Sequence, residues 1–345
     1  MRFFRIGVVA VVAAVFVAGC ARKDSATAAP APSPAALRKV VLQTDWFPEA
    51  EHGGFYQALA KGFFRDAGLD VEILPGGPGV AIKLAVAKGQ ADFGLNRSDD
   101  VIMAASQGMP LLMVGAVLQH DPEALLVHEE SPVKTLADLN GRTVIAPPSM
   151  TWIPYVQKKY GIRFDLTRTN YSLALFLTNH DAIQQCIVTS EPYYAAQHGV
   201  RVRALALADE GYDPYHAIIC RRELARTSPA VVRAFLAAAI RGWRDYLEGD
   251  SAPANALILK RNAAMSAEQI AFSRDALITR ALVKGDAAKG EGIGQISASR
   301  IQRQIAVLTE LKILGKPVTT AAVVTQEFLP ATGTPEKKLP RSAIE

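Results

Sequence analysis

Four short segments carry side chains suited to holding a small molecule. The first reads Asp45-Trp46-Phe47-Pro48-Glu49-Ala50-Glu51-His52-Gly53-Gly54-Phe55-Tyr56. Trp46 offers a flat apolar face to an aromatic ring, and His52 and Tyr56 offer hydrogen-bonding tips. The second, Asn96-Arg97-Ser98-Asp99, has the form of a helix start. Free N–H groups there favour an anion or a carbonyl oxygen, and Arg97 would grip a carboxylate or phosphate with two hydrogen bonds. The third, Pro147-Pro148-Ser149-Met150-Thr151-Trp152, brings a second indole to another helix entry. Trp46 and Trp152 would then sandwich a ring. The fourth is Thr189-Ser190-Glu191-Pro192-Tyr193-Tyr194. A carboxylate only accepts hydrogen bonds, so Glu191 suits a ligand amine or ring N–H, with Tyr193 beside it.

Each segment also has a plainer reading, and at this level both stand. Trp46, Phe47 and Trp152 fit a packed core, and Glu49 and Glu51 a solvated turn. Ser98 fits a helix cap, with Arg97 paired to Asp99 or Asp100. Glu191 in a first helical turn fits the helix dipole. Other chemistries find no support. Pro75-Gly76-Gly77-Pro78-Gly79 lacks the Gly-Lys-Ser/Thr ending of a phosphate cradle and reads as a tight turn. The six histidines show no metal-binding spacing, and no G-x-S-x-G elbow occurs. Leu329-Pro330-Ala331-Thr332-Gly333 matches a sortase signal in letters alone, without its apolar tail and basic cluster.

The elements that must position these groups alternate between strand and helix. Residues 39–44, 69–74, 91–95, 111–118 and 125–128 read as strands, and 55–64, 80–88 and 98–107 as helices. A second set follows: strands at 142–146, 187–190, 202–207 and 217–220, and helices at 152–160, 192–198 and ending near 182–186. Ser228-Pro229 caps a long helix with apolar positions 232, 235, 236, 239, 240, 243, 246 and 247. This predicts an α/β fold of two lobes, each a mainly parallel sheet with helices on both faces. Lobe 1 takes residues 39–122 and 220–328, lobe 2 takes 123–219, and 329–345 form a tail. Ligands of such folds bind beyond the carboxyl ends of the strands, which places the four segments at a cleft between the lobes.

The chain has 345 residues, half of them apolar and 21% charged, which is globular composition. Its net charge of +5 includes Arg2 and Arg5 of a segment expected to be removed. No basic run supports nucleic-acid binding. Three cysteines exclude a disulfide-dense scaffold or an iron–sulfur cluster. Residues 6–19 carry no charge, yet a spanning helix needs about 17–25 apolar residues. With Val17-Ala18-Gly19-Cys20 they resemble a bacterial lipoprotein signal, cleaved before Cys20, which receives lipid. Ala21 rather than Asp follows, compatible with the cell membrane or an outer membrane. Residues 20–38 are Ala/Pro/Ser-rich and read as a tether. Cys186 and Cys220 lie in apolar runs, as buried thiols or a pair.

The run DWFPEAEHGGFYQALAKGFFRDAGLDV resembles the start of extracytoplasmic solute-binding proteins of ABC importers. The branch is that of thiamine-pyrimidine-precursor and alkanesulfonate binders. The likeness continues through QADFGLNRSDDVIMAASQGMP, SPVKTLADLNGRTV, TSEPYYA and LARTSPAVVRAFLAAAIRGW, over residues 39–250. It implies the type II periplasmic-binding-protein fold, which closes on a ligand about a hinge and does no chemistry on it. It also implies no cofactor, a monomer facing the periplasm or exterior, and permease and ATPase subunits as partners. By resemblance Trp46 stacks on a heteroaromatic ring, and His52 and Tyr56 line the cleft. Asn96-Arg97 departs from the bulkier aromatics of some pyrimidine binders, and Arg97 suits an acidic ligand. Receptors for riboflavin-like, sulfonate or other anionic solutes, a pyrimidine-synthase-like enzyme and a sensory module therefore stay open. A eukaryotic pyrimidine synthase of the same superfamily carries a cysteine-rich motif that has no counterpart here.

Overall fold

The computed structural model describes residues 36–330. The expected signal segment, Cys20 and most of the tether lie outside the described residues, as does the tail beyond 330. From the N-terminal side come β1 (Arg38–Gln43), α1 (Gly53–Ala60), α2 (Phe63–Asp66), β2 (Leu69–Leu74), α3 (Ile82–Ala87), β3 (Phe93–Arg97), α4 (Ser98–Ser106) and β4 (Leu111–Leu118). The single helix expected over 55–64 is two, because Gly62 turns left-handed at φ +75°. β2 alternates buried and exposed residues, whereas all of β4 is buried. An isolated bridge from Met113 to Val324 covers the outer edge of β4.

The chain then crosses on β5 (Glu123–His128) to build β6 (Thr143–Ile145), α5 (Trp152–Tyr160), β7 (Asp165–Thr167), α6 (Ala174–Thr178), β8 (Ile183–Ile187), α7 (Glu191–Gln197) and β9 (Val202–Ala206). It returns on β10 (His216–Arg221), followed by α8 (Arg222–Thr227), α9 (Pro229–Glu248), α10 (Ala252–Arg261), α11 (Ala267–Thr279) and α12 (Ala298–Glu310). The expected helix end at 182–186 is instead β8. A short apolar run has no decisive period, and pairing with β5 and β6 decides it.

The two sheets run β2-β1-β3-β10-β4 and β7-β6-β8-β5-β9. In each, the strand on which the chain arrives, β10 or β5, pairs antiparallel with both neighbours, and the other four run one way. By sheet pairing, residues 216–219 lie with the first lobe rather than the second. α9 buries every apolar position expected of it. Its Phe235 stacks on Phe93 of β3 with ring centroids 4.0 Å apart. The Gly53-Gly54 pair exists for this packing. A Cβ on Gly53 would lie 2.2 Å from the Tyr246 ring, and one on Gly54 would lie 2.1 Å from the Trp243 ring. Cys186 and Cys220 are free and buried, one in each sheet.

Candidate functional site

A cavity of about 660 Å³ opens between the lobes, within the usual range for small-molecule sites. Trp46, in the loop after β1, meets Tyr171, in the loop before α6. Their ring centroids are 5.4 Å apart, with planes inclined at 52°. Phe47 packs edge-on against Trp46 at 5.6 Å. The glycine-rich turn at 75–79 braces this loop. The Gly76 N–H donates to the Trp46 carbonyl at 2.9 Å and to the Thr44 hydroxyl at 3.1 Å. A Cβ there would come within 2.3 Å of the Thr44 carbonyl oxygen. Tyr171 is 57% exposed and has φ +62°, a left-handed backbone uncommon for a bulky residue. Its N–H donates to Thr169 and that of Ser172 donates to Asn170, which fixes the turn.

The polar wall is acidic. Glu49, Glu51 and Glu191 all line the cavity. Burial lifts all three above the ordinary carboxylate range, Glu191 to about 6, and repulsion by Glu51 adds to the rise at Glu49. One Glu191 oxygen accepts the Ile187 N–H at 2.7 Å. The Thr189 hydroxyl donates to Oε1 of Glu51, whose Oε2 is buried without a hydrogen-bond partner among the described residues. His52 donates through Nε2 to Asp45 at 2.8 Å, and its Nδ1 is likewise buried and unpartnered. No lysine or arginine is among the described residues that line the cavity.

His216, at the start of β10, reaches both this wall and the crossing between lobes. Its Nδ1 lies 3.6 Å from Asp45 and its Nε2 lies 3.4 Å from Asp121. Burial alone would lower its pKa, but the two carboxylates outweigh that and raise it to about 9. The folded value lies above the ordinary 6.5, so the interaction stabilises fully below pH 6.5 and is lost as pH rises through 9. Between pH 6.5 and 10 the protein should lose about 3 kcal/mol more stability than a His216→Gln variant. Urea unfolding across that range measures the difference, and parallel curves would exclude the bridge.

The structure gathers Trp46, His52 and Glu191 of the sequence-predicted residues at the cavity. Trp152 is a correction. It is fully buried in the second lobe, and its indole N–H donates to Glu123 at 3.0 Å, so the expected pair of indole plates does not form. Arg97 is a second correction. Its guanidinium faces Asp99 at 3.3 Å, Asp121 at 3.0 Å and also Glu123, away from the cavity lining. Ser98 is tied to Gln304 at 2.7 Å and to the Tyr215 N–H at 2.9 Å, and Asn96 stays within β3 outside the lining. Tyr56 is fully buried with the Arg261 guanidinium 5.5 Å from its ring centre. The Tyr193 hydroxyl lies 3.3 Å from Ser266, and it is the neighbouring Tyr194 that lines the cavity. For Arg97 and Trp152 the reason is that the ends of β3 and β6 converge on Glu123 at the start of β5.

Of the two readings of Glu49 and Glu51, the solvated turn gives way to a place in the cavity wall, where Tyr171 and His216, which are not sequence candidates, join them. The acids alternate in the chain around a buried Ala50, a hint of a packed rather than open turn. His216, next to an apolar strand, was a usable signal. Tyr171 had none, because its position depends on a turn in a polar loop.

The profile of the NMT1/THI5 like family matches residues 49–252. A putative thiamine biosynthesis protein of Haemophilus influenzae is 32% identical over 110 residues, 32% of this chain and 35% of that one. The formylaminopyrimidine-binding protein of Halalkalibacterium halodurans is 26% identical over 240 residues, 66% of this chain and 72% of that one. The chain thus spans about a third of the first relative's length and under three quarters of the second's. Among solved structures, the periplasmic aliphatic sulphonate binding protein SsuA of Escherichia coli superposes with a TM-score of 0.64 at 20% identity. That match covers 88% of this chain and 97% of SsuA, and at such identity it speaks for the fold alone.

Proposed function

The chain belongs to the NMT1/THI5-like family, and from that premise we propose that it is the substrate-binding component of an ABC importer, capturing a small heteroaromatic solute that bears an amine or ring N–H. Trp46 and Tyr171 hold the ring from opposite lobes. Glu191, Glu51 and Glu49 accept hydrogen bonds from its nitrogen-bearing edge. Ligand contacts with both lobes favour the closed state, and the permease with its ATPase takes up the ligand from that state. The protein releases its ligand unchanged and needs no cofactor. It is exported as a monomer and held to a membrane by lipid on Cys20.

The observation that carries this reading is the lining itself: the aromatic side chains of Trp46, Phe47, Tyr171 and Tyr194 and the carboxyl groups of Asp45, Glu49, Glu51 and Glu191, with no lysine or arginine among the described lining residues. A sulfonate, phosphate or carboxylate would enter beside acids and meet no guanidinium or ammonium, since Arg97 is engaged elsewhere and the charged imidazole of His216 already faces Asp45 and Asp121. An amino-heterocycle instead supplies donors to acceptors such as Glu51 Oε2.

Calorimetry with 4-amino-5-hydroxymethyl-2-methylpyrimidine, its phosphate ester, riboflavin and MOPS tests the reading. The expected order places an uncharged heterocycle at least 100-fold tighter than the phosphate ester or the sulfonate, a gap of about 2.7 kcal/mol. Tightest binding of MOPS would overturn it. Mass spectrometry of the ligand recovered after binding should return the added mass, and a converted product would replace a receptor by an enzyme.

A further inference from the structure

The cavity wall carries negative charge that nothing in the lining offsets. Glu49, Glu51 and Glu191 all belong to it, and Glu49 is repelled by both of the others and by Asp45. No lysine or arginine is among the described lining residues. The imidazole of His216 already lies between Asp45 and Asp121. Glu51 is 9% exposed, and its Oε2 has no hydrogen-bond partner among the described residues. A buried carboxylate so placed is costly until a donor or a positive charge reaches it. The same cavity presents aromatic faces. Trp46 meets Tyr171 at 5.4 Å and Phe47 at 5.6 Å, with planes inclined at 52° and 72°, so the three rings form a corner. The face of an aromatic ring is negative and attracts a cation within about 6 Å of its centre. A metal ion does not suit the acids, because no three His, Cys, Asp or Glu among the described residues are grouped to hold one.

We propose that the ligand is an organic cation, an amino-heterocycle whose ring carries a positively charged nitrogen. The inference rests on the reading of the cavity as a site for amino-heterocycles, and it adds the charge. The amine donates to the carboxyl groups, the charged ring lies against the aromatic corner at Trp46, and its charge offsets that of Glu49, Glu51 and Glu191. Carboxylates and aromatic faces act here in the same sense. Both favour a cation over a neutral ring of the same shape, and the carboxylates repel an anion. Selection by charge therefore works alongside selection by fit.

The test is titration calorimetry at pH 8 with 4-amino-1-methylpyridinium and 4-methylaniline. The two probes share shape and amine, and a positive ring nitrogen in the first replaces a carbon in the second. The cation should bind roughly 30-fold tighter. A double variant, Glu51→Gln with Glu191→Gln, keeps the side-chain shapes and removes two charges, and there the ratio of the two affinities should fall by roughly tenfold. The ratio cancels any loss common to both probes. Equal affinities in the wild type would overturn the inference. So would an unchanged ratio in the folded double variant, and should that variant unfold, the single variants carry the same comparison. Binding of 4-amino-5-hydroxymethyl-2-methylpyrimidine without binding of the pyridinium would overturn this inference alone. Failure of every amine-bearing ring to bind would overturn the amino-heterocycle reading and this inference with it.

Discussion

Arg97→Ala is expected to destabilise the protein by about 3–5 kcal/mol, the range for breaking a buried ion pair from one side. The side chain is 13% exposed and faces Asp99, Asp121 and Glu123. Without it, three buried carboxylates lose their shared cation. Their present titration records that dependence. Burial would lift Asp99, yet Arg97 together with the hydroxyls of Thr151 and Tyr212 outweighs it and holds Asp99 at about 2. Glu123, where burial dominates, stands at about 7 despite the same neighbour. Arg97→Lys should recover part of the loss, because a point charge remains but cannot reach all three acids at once. Urea denaturation at pH 7 measures both variants. Had Arg97 been a clamp for an anionic ligand, its removal would lower affinity and leave stability nearly unchanged. A melting temperature within about 2 °C of the wild type would contradict the buried-cluster account, since at about 2.1 cal/mol/K per residue over roughly 300 residues a loss of about 3–5 kcal/mol lowers Tm by about 5–8 °C.

Trp46→Ala should weaken ligand binding by about 30–100-fold, or about 2–3 kcal/mol, as expected for an aromatic anchor in a mostly desolvated site. The ring has contact on one side from Phe47 and on another from Tyr171, and a bound ring would replace part of the second contact. Trp46→Phe should keep most of the affinity, because the stacking face remains. Tyr171→Ala should give a smaller loss in affinity with little change in stability, as that side chain is 57% exposed. Titration calorimetry with the tightest member of the ligand panel separates the three variants. Equal affinities of Trp46→Ala and wild type would remove the aromatic plate from the mechanism.

The GG pair shows how a sequence feature can serve a demand other than the one its neighbourhood suggests. Gly53 and Gly54 sit inside the segment most suggestive of a ligand loop. Their role is to let α1 approach Tyr246 and Trp243 of α9, a helix about 190 residues later in the chain. Close backbone approach needs glycine just as a tight turn does, and the two demands look alike in one dimension. The turn at 75–79 was legible as a turn, but its service as a brace behind Trp46 was not.

The amino-acid sequence by itself determined the alternating elements, the apolar stripe of the long helix, and the placement of Trp46, His52 and Glu191 at strand or helix ends. Those follow from local periodicity, which repeats every two or 3.6 residues whatever the rest of the chain does. The tertiary structure alone decided that Arg97 belongs to a buried cluster of carboxylates, that Trp152 is core, and that Tyr171 faces Trp46. Arg97 meets Glu123 across 26 positions, and Asp99 meets Tyr212 across 113. Charges and hydrogen bonds act over a few ångströms of space, so a polar side chain's role is set by which elements converge on it. Here the crossings on β5 and β10 fix that convergence.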